Sequence, residues 1–187
     1  MKHVKKVSKR TRVLTGSALA AAVALGGVGA YSASAADTAA PAAAKPAAVK
    51  AGNTLQTKHL TIDAAQDAAE AVLDAAKKEN QKVSVAIVDR NGNTILTLRG
   101  DGAGPQSYEA AEKKAFTAVS WNAPTSELTK RLESAPTLKD IPGTLFLAGG
   151  APVTADNAPI AGIGVAGAPS GDLDEKFAQA GVAELAK

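Results

Sequence analysis

The stretch VSVAIVDRNGNTILTLRG, residues 83–100, decides the fold. Five of its first six residues are apolar and four of these are β-branched, which is typical of a buried strand. The Asn91-Gly92 dipeptide that follows indicates a tight hairpin turn, and residues 94–99 return as the partner strand. Strands joined by so short a turn pair antiparallel, because a parallel pair needs a long crossover. The hairpin therefore predicts a sheet built from antiparallel neighbours.

Around the hairpin, helical and strand-like segments alternate along the chain. Apolar residues recur at helical spacing, and these predicted helices cover residues 62–80, 107–121, 125–134 and 172–186. Three apolar stretches separated by glycine or Asp-Asn pairs predict further strands, at residues 144–148, 151–154 and 159–166. The order α-β-β-α-α-β-β-β-α predicts a single α+β domain, with a five-stranded, mostly antiparallel sheet flanked by helices.

The first 35 residues have the organisation of a signal peptide. Six lysines and arginines precede an apolar, alanine-rich core, and Ala33-Ser34-Ala35 offers the small residues that a signal peptidase accepts. A membrane anchor is the weaker alternative, because the core is short and broken by glycines for a helix of about 20 apolar residues. We expect residues 1–35 to be a cleaved signal peptide, residues 36–54 a flexible Ala/Pro-rich linker, and residues 55–187 the folded domain of a secreted protein.

The composition excludes several classes of function. The chain has no cysteine, which rules out disulfides and thiolate metal sites. It has 21 Lys+Arg against 18 Asp+Glu, and subtracting the six cations of the leader leaves 15 against 18. A domain with this excess of acid lacks the broad basic surface that binds nucleic acid, so we expect no nucleic-acid partner. His59 is the one histidine that follows the leader.

Two glutamates on the second predicted helix are candidates for a metal site. Glu109 and Glu112 stand at i and i+3, so their carboxylates share a helix face and can converge on a hard cation such as ferric iron. The same spacing is common on a solvated face, where Glu109 would pair with Lys113 at i+4. Asp172, near the start of the last helix, would complete a site if it folded nearby. The residues alone leave both interpretations open, and Lys113 and Lys114 are interpreted as surface charges.

The three glycines of Gly162-x-Gly164-x-x-Gly167 have the spacing of a dinucleotide-binding fingerprint. That motif needs a long helix that opens within it, whereas Ile163 and Val165 continue a strand. We therefore interpret these glycines as positions where another backbone, or a ligand, approaches the sheet closely.

Several segments taken together resemble one known family. VSVAIVDRNGNTILTLRGDGA (83–103), SYEAAEKKAFTAVSW (107–121), IPGTLFLAGGAPV (141–153) and PIAGIGVAGAPSGDLDEKFA (159–178) occur in this order and are similar to the GlcG/HbpS family. Each segment is of modest specificity, but their succession over residues 60–185 is specific.

The resemblance implies a homo-oligomer, an octamer, that binds haem and, separately, iron at its surface. Carried over residue by residue, Glu109 and Glu112 would be the iron-binding pair, with Asp172 as a third contributor. Thr144 would be the residue in contact with haem iron, and His59 is a second haem-binding candidate. With one histidine after the leader, a site with two histidines from one subunit is excluded.

The resemblance also implies a role in signalling. We expect a secreted redox- or iron-sensing accessory of a two-component system, which contacts the extracytoplasmic part of a membrane sensor histidine kinase. A haem-degrading or peroxide-consuming enzyme is the first alternative, although the sequence offers no obvious acid–base constellation. An extracellular carrier of another tetrapyrrole or small molecule is the second. Catalytic turnover would distinguish the enzyme, and the identity of the ligand would distinguish the carrier.

Overall fold

The structure is a computed structural model, and it describes residues 46–187. The predicted signal peptide, residues 1–35, and most of the predicted linker lie outside the described residues. Residues 46–54 are exposed and contain one short 3-10 turn, Ala51–Asn53. Residues 49–187 form one compact unit. Among residues 46–187, no helix combines the length and the apolar character needed to cross a bilayer.

One four-stranded sheet organises the described residues, with every neighbouring pair antiparallel and the order β2-β1-β4-β3. The strands are β1 (Ser84–Asp89), β2 (Thr94–Arg99), β3 (Gly150–Ala155) and β4 (Ala158–Ala166). The helices are α1 (Ile62–Lys78), α2 (Ser107–Trp121), α3 (Thr125–Arg131) and α4 (Gly171–Glu184), with a short 3-10 helix at Pro136–Asp140. The predicted α+β class is confirmed.

The prediction of five strands is wrong at residues 144–148, which form no strand. The backbone N–H of Leu145 donates to the Thr117 hydroxyl of α2 at 2.8 Å, and that of Leu147 donates to the Leu145 carbonyl at 2.9 Å. The Phe146 ring turns inward and packs edge-on against Trp121, with the ring centroids 5.1 Å apart. The segment is apolar because it covers the end of α2, and its backbone donors are used there instead of in a strand ladder.

The hairpin between β1 and β2 is confirmed, although its loop differs from a two-residue turn. The side chain of Asp89 accepts hydrogen bonds from the backbone N–H groups of Asn91 at 2.8 Å and Asn93 at 2.9 Å. Gly92 adopts a φ of 87°, and Asn91 stays outside the left-handed region. The four-residue loop is therefore closed by a carboxylate and one glycine.

The helices form a layer on each face of the sheet. α1 and α4 cover one face, where Val72 and Phe177 pack against the strand residues Ile87 and Ile163. α2 covers the other face and packs Ala111 and other small residues against β1. Helix α1 begins at Ile62, as predicted, because the Thr61 side chain caps it by accepting a hydrogen bond from the Ala64 N–H at 3.2 Å.

Glycines in β4 let α2 lie directly on the sheet. A Cβ atom placed on Gly164 would stand 2.0 Å from the Ala111 carbonyl oxygen and 2.4 Å from the Ala115 nitrogen. A Cβ atom on Gly162 would stand 2.2 Å from the Ala115 carbonyl oxygen. These are contacts with helix backbone, which cannot rotate out of the way. Gly162 and Gly164 therefore serve helix packing, which agrees with their interpretation as positions where another backbone approaches the sheet closely.

We expect Gly164→Ala to destabilise the fold by about 3 kcal/mol or more, because overpacking a rigid site costs on the order of 1–3 kcal/mol and this clash is with backbone. Urea denaturation followed by far-UV circular dichroism measures the change in the free energy of unfolding. Gly52→Ala is the matched control, since a Cβ atom there meets nothing within 4 Å. An equal effect of the two substitutions would refute the packing role.

Candidate functional site

The two glutamates of α2 point toward different partners. The Glu109 carboxylate lies 2.6 Å from the Lys113 ammonium, and this hydrogen-bonded cation lowers the pKa of Glu109 below its ordinary value. Glu112 accepts a hydrogen bond from the Thr97 hydroxyl of β2 at 2.9 Å. The side chain of Glu109 is 73% exposed. Both side chains thus offer carboxylate oxygens that could serve as metal ligands. A cation shared by the two would displace Lys113 from Glu109.

Asp172 does not join this pair within one chain. It is exposed in the first turn of α4, and residues 46–187 contain no group of three or more His, Asp or Glu side chains placed to hold a metal ion. Within the described residues Glu109 and Glu112 therefore remain the candidate pair, and a cation held by both would take water in its other coordination positions.

Thr144 lies in the apolar segment that was predicted as a strand. Its hydroxyl donates to the Ile141 carbonyl at 2.7 Å, which leaves the oxygen lone pairs available to an outside group. Ile141 is 41% exposed and Leu147 is 55% exposed. The segment thus offers a hydroxyl oxygen next to apolar side chains that face solvent.

His59 is exposed in the chain that leads to α1. Its Nε2 atom lies 2.8 Å from the Thr57 hydroxyl. Burial alone would raise the pKa of Asp89, but hydrogen bonds from Asn93 and Asn91 and the nearby His59 hold it below its ordinary value. His59 therefore sits close enough to the β1–β2 loop to influence a carboxylate there.

A buried ion pair is the feature that the sequence analysis missed. Lys114 was interpreted as a surface charge, but its side chain is 6% exposed, and its ammonium lies 2.8 Å from the Asp174 carboxylate and 3.0 Å from the Val165 carbonyl. Burial raises the pKa of Asp174, against the lowering effect of hydrogen bonds from Lys114 and Ala168. The sequence does contain a signal for the burial of Lys114, because this residue lies in the apolar stripe of α2.

The next residue of α4 makes a second polar connection. The Glu175 carboxylate accepts hydrogen bonds from the Ser126 N–H at 2.9 Å and the Ser126 hydroxyl at 2.5 Å, at the start of α3. It also accepts from the Gly149 N–H at 3.3 Å. α4 thereby fixes both α3 and the end of the segment that carries Thr144.

Neither of two cavities on the surface of the described residues is lined by Thr144, His59, Glu109 or Glu112. The smaller, about 420 Å³, lies over the Lys114–Asp174 pair and is also lined by Asp172 and Leu147. The larger, about 580 Å³, lies between the end of α1 and the end of β2. Thr144, His59, Glu109 and Glu112 therefore lie outside both cavities, whereas Asp172 borders the smaller one.

Comparison with known proteins identifies the family to which this chain belongs. Residues 60–183 match the family described as Haem degrading protein HbpS-like. The chain belongs to this family. The resemblance to GlcG/HbpS proteins seen in the sequence is thereby confirmed.

Solved structures of HbpS are similar along almost their whole length. One HbpS structure is 72% identical, with a TM-score of 0.72, and the match covers 73% of this chain and 97% of that chain. A double mutant of Streptomyces reticuli HbpS is 71% identical, with a TM-score of 0.74, and covers 75% and 97%. Its two substitutions are Glu to Asp, at positions three residues apart.

More distant relatives extend the family. PduOC, solved as a complex with haem, is 27% identical with a TM-score of 0.63, and the match covers 68% of this chain and 95% of that chain. An uncharacterised 15.0 kDa protein of the dhaT-dhaS intergenic region of Citrobacter freundii is 32% identical over 117 residues, which is 60% of this chain and 82% of the relative.

We expect Lys114→Met to lower the free energy of unfolding by about 3–5 kcal/mol at neutral pH, because it leaves the Asp174 carboxylate buried without its cation. Urea denaturation measures the loss. Lys113→Met is the matched control, and it should leave the stability close to that of the unmodified protein because its ion pair with Glu109 is exposed.

The pH dependence gives a second readout of the same variant. The pKa of Asp174 is higher in the folded than in the unfolded state, so folding takes up a proton and protonation favours the fold. In Lys114→Met that pKa rises further, so the stability deficit should shrink as the pH falls toward the ordinary Asp value of about 3.9. A deficit that is constant from neutral pH to this value would contradict the ion-pair explanation.

Proposed function

We propose that this chain is a secreted haem- and iron-binding protein, which acts outside the cytoplasm as a redox- or iron-sensing accessory of a two-component sensor histidine kinase. The observation that carries the proposal is membership of the HbpS-like family, with 71–72% identity to HbpS over nearly all of that protein. The haem complex of the relative PduOC supports haem as the ligand class. The predicted leader, residues 1–35, supports secretion.

The surface around Thr144 fits one face of a haem. A porphyrin ring needs apolar contacts and a few well-placed polar groups. The exposed Ile141 and Leu147 side chains would supply the apolar contacts, and the Thr144 hydroxyl oxygen, held by its hydrogen bond to the Ile141 carbonyl, would be the atom offered to the haem iron. When bound, haem supplies a redox-active iron.

A second subunit would complete the cover over the haem. Since Thr144 lines neither the cavity of about 420 Å³ nor that of about 580 Å³, a haem held by Thr144 would lie on an open surface of one chain. A homo-oligomer, which we propose to be an octamer, would cover that surface, and His59 is the one imidazole after residue 35 that a neighbouring copy could offer.

The iron site is proposed at Glu109 and Glu112, separately from the haem. Carboxylates suit a hard cation, and these are the two glutamates of the chain that stand three residues apart. The same spacing separates the two glutamates replaced in the HbpS double mutant. Thr97 orients the Glu112 carboxylate, and Asp172 is proposed as a contributor from another copy of the chain, because no three-ligand group forms within the described residues of one.

The family description also supports a haem-degrading enzyme as a second candidate. Haem loss measured with fresh haem supplied, with and without catalase, separates the two candidates. An enzyme consumes many equivalents of haem per chain with catalase present, whereas a sensor stops after about one. A sensor must also change its affinity for the extracytoplasmic part of its kinase when iron or haem is added.

We expect Thr144→Val to weaken haem binding by the chain from Ala36 onward by about tenfold or more, because it removes the proposed ligand oxygen at nearly constant shape. Titration followed by the Soret absorption measures the affinity and the spectral shift. Thr137→Val, an exposed threonine of the neighbouring 3-10 helix, is the control. An unchanged spectrum of Thr144→Val would remove this residue from the haem site.

We expect the double variant Glu109→Gln and Glu112→Gln to lose iron binding by about tenfold or more, since amides carry no charge to hold the cation. Calorimetric titration with iron measures the affinity. Asp67→Asn with Glu70→Gln is the matched control, because this exposed acidic pair has the same i, i+3 spacing on α1. Equal losses in both double variants would show non-specific attraction to acidic helices.

A further inference from the structure

The larger cavity, of about 580 Å³, concentrates positive charge on a domain that otherwise carries an excess of acid. Its lining includes Lys77 from the end of α1, Lys82 from the connection to β1, and Arg99 from the end of β2. Asp101 is the one acidic residue in the lining. After residue 35 the chain has 15 Lys+Arg against 18 Asp+Glu, which gives it a negative net charge. The net charge of the cleft lining is positive, opposite to that of the chain.

These three cations form no ion pair with any of the described residues. The salt bridges among residues 46–187 use other basic residues, namely Lys58, Lys113, Lys114, Lys176 and Lys187. Asp101 lies on the same cleft without pairing to any of them. The charges of the cleft are therefore available to an anion from outside.

The loop after β2 holds Arg99 in place and approaches Lys82 closely. The Arg99 guanidinium donates from Nε at 3.1 Å and from Nη2 at 2.6 Å to the Ala103 carbonyl, and its other N–H groups stay free. Lys82 lies over Gly102, where a Cβ atom would stand 2.9 Å from the Lys82 Cδ. Gly102 has a φ of 77°. The turn thus limits the conformational freedom of Arg99 that a ligand would have to remove.

The floor between the cations is apolar. Leu73, Ala76 and Val83 line the cavity and belong to the core cluster under α1 or pack against it. A volume of about 580 Å³ lies within the range of pockets that bind small organic molecules, about 300–1,000 Å³. Ala76 and Val83 are each 1% exposed, so the apolar surface that a ligand can cover belongs to the partly exposed Leu73 and to the aliphatic stems of the lysines. An inorganic anion would leave this surface in contact with water, whereas an organic anion would cover it.

We propose that this cleft, defined by Lys77, Lys82, Arg99 and the floor Leu73, Ala76 and Val83, binds an organic dianion whose two acidic groups flank an apolar body. The acidic groups meet cations from three different segments of the chain, and the body covers the floor. The cleft is distinct from Thr144 and from the Glu109–Glu112 pair, which do not line it. It would thus be a third ligand site, independent of the proposed haem and iron sites.

The test uses the full chain and the aromatic disulfonate bis-ANS as the probe, with calorimetric titration. One molecule should bind per chain, and Lys77→Gln with Lys82→Gln should weaken binding by about tenfold or more, since charge-assisted hydrogen bonds are lost. Both lysines are exposed, so the variant should keep the urea midpoint of the parent chain. Lys130→Gln with Lys139→Gln removes the same charge elsewhere and should bind as the parent does.

Three outcomes would overturn the proposal. They are no binding to the parent chain, equal affinity of the cleft variant and the parent, and equal loss in the cleft and control variants. Competition between bis-ANS and inorganic phosphate tests whether the apolar body of the ligand contributes to binding. Inorganic phosphate at the probe's concentration should leave binding unchanged, and displacement by phosphate would show a simple anion site instead.

Discussion

The close contact between α2 and β4 is the constraint on which the other features depend. Gly162 and Gly164 leave no side chain between strand and helix, so the helix backbone rests on the sheet. This fixes both the height and the rotation of α2. Its small residues then face inward, Lys114 reaches Asp174, and Glu109 is left at the surface.

The position of α2 also determines that of α4, because an ion pair connects the two helices in addition to apolar packing. The ammonium of Lys114 meets Asp174, and the neighbouring Glu175 holds α3 and the Gly149 N–H. Gly149 ends the segment that carries Thr144, and the other end of this segment is held by the Thr117 hydroxyl of α2, which accepts a hydrogen bond from the Leu145 N–H. The segment that carries Thr144 is therefore tied to two helices, and one of these also carries the acidic pair. A buried pair of this kind gains little net stability but is costly to break, so it favours one arrangement over its competitors.

Local patterns in the sequence predicted most of the fold. The hairpin, the start of α1 at Thr61 and the antiparallel pairing follow from neighbouring residues, whose preferences agree with the final structure. Residues 144–148 were misassigned because an apolar run looks the same in a strand as in a segment that covers a helix end. The partners that decide the case, Thr117 and Trp121, lie far away in the chain. The same holds for the site: the spacing of Glu109 and Glu112 could be read directly, whereas the pairing of Lys114 with a residue 60 positions later required the packed structure.

The edge-on contact between Trp121 and Phe146 has a consequence for how the molecule can be observed. Trp121 is the one tryptophan of the chain, and its ring lies 5.1 Å from a ring two residues beyond Thr144. Its intrinsic emission therefore comes from a single known place, where α2 meets the segment proposed to hold the porphyrin. The protein carries its own optical reporter, which would register a ligand, an oxidised indole or a displaced loop without any attached label.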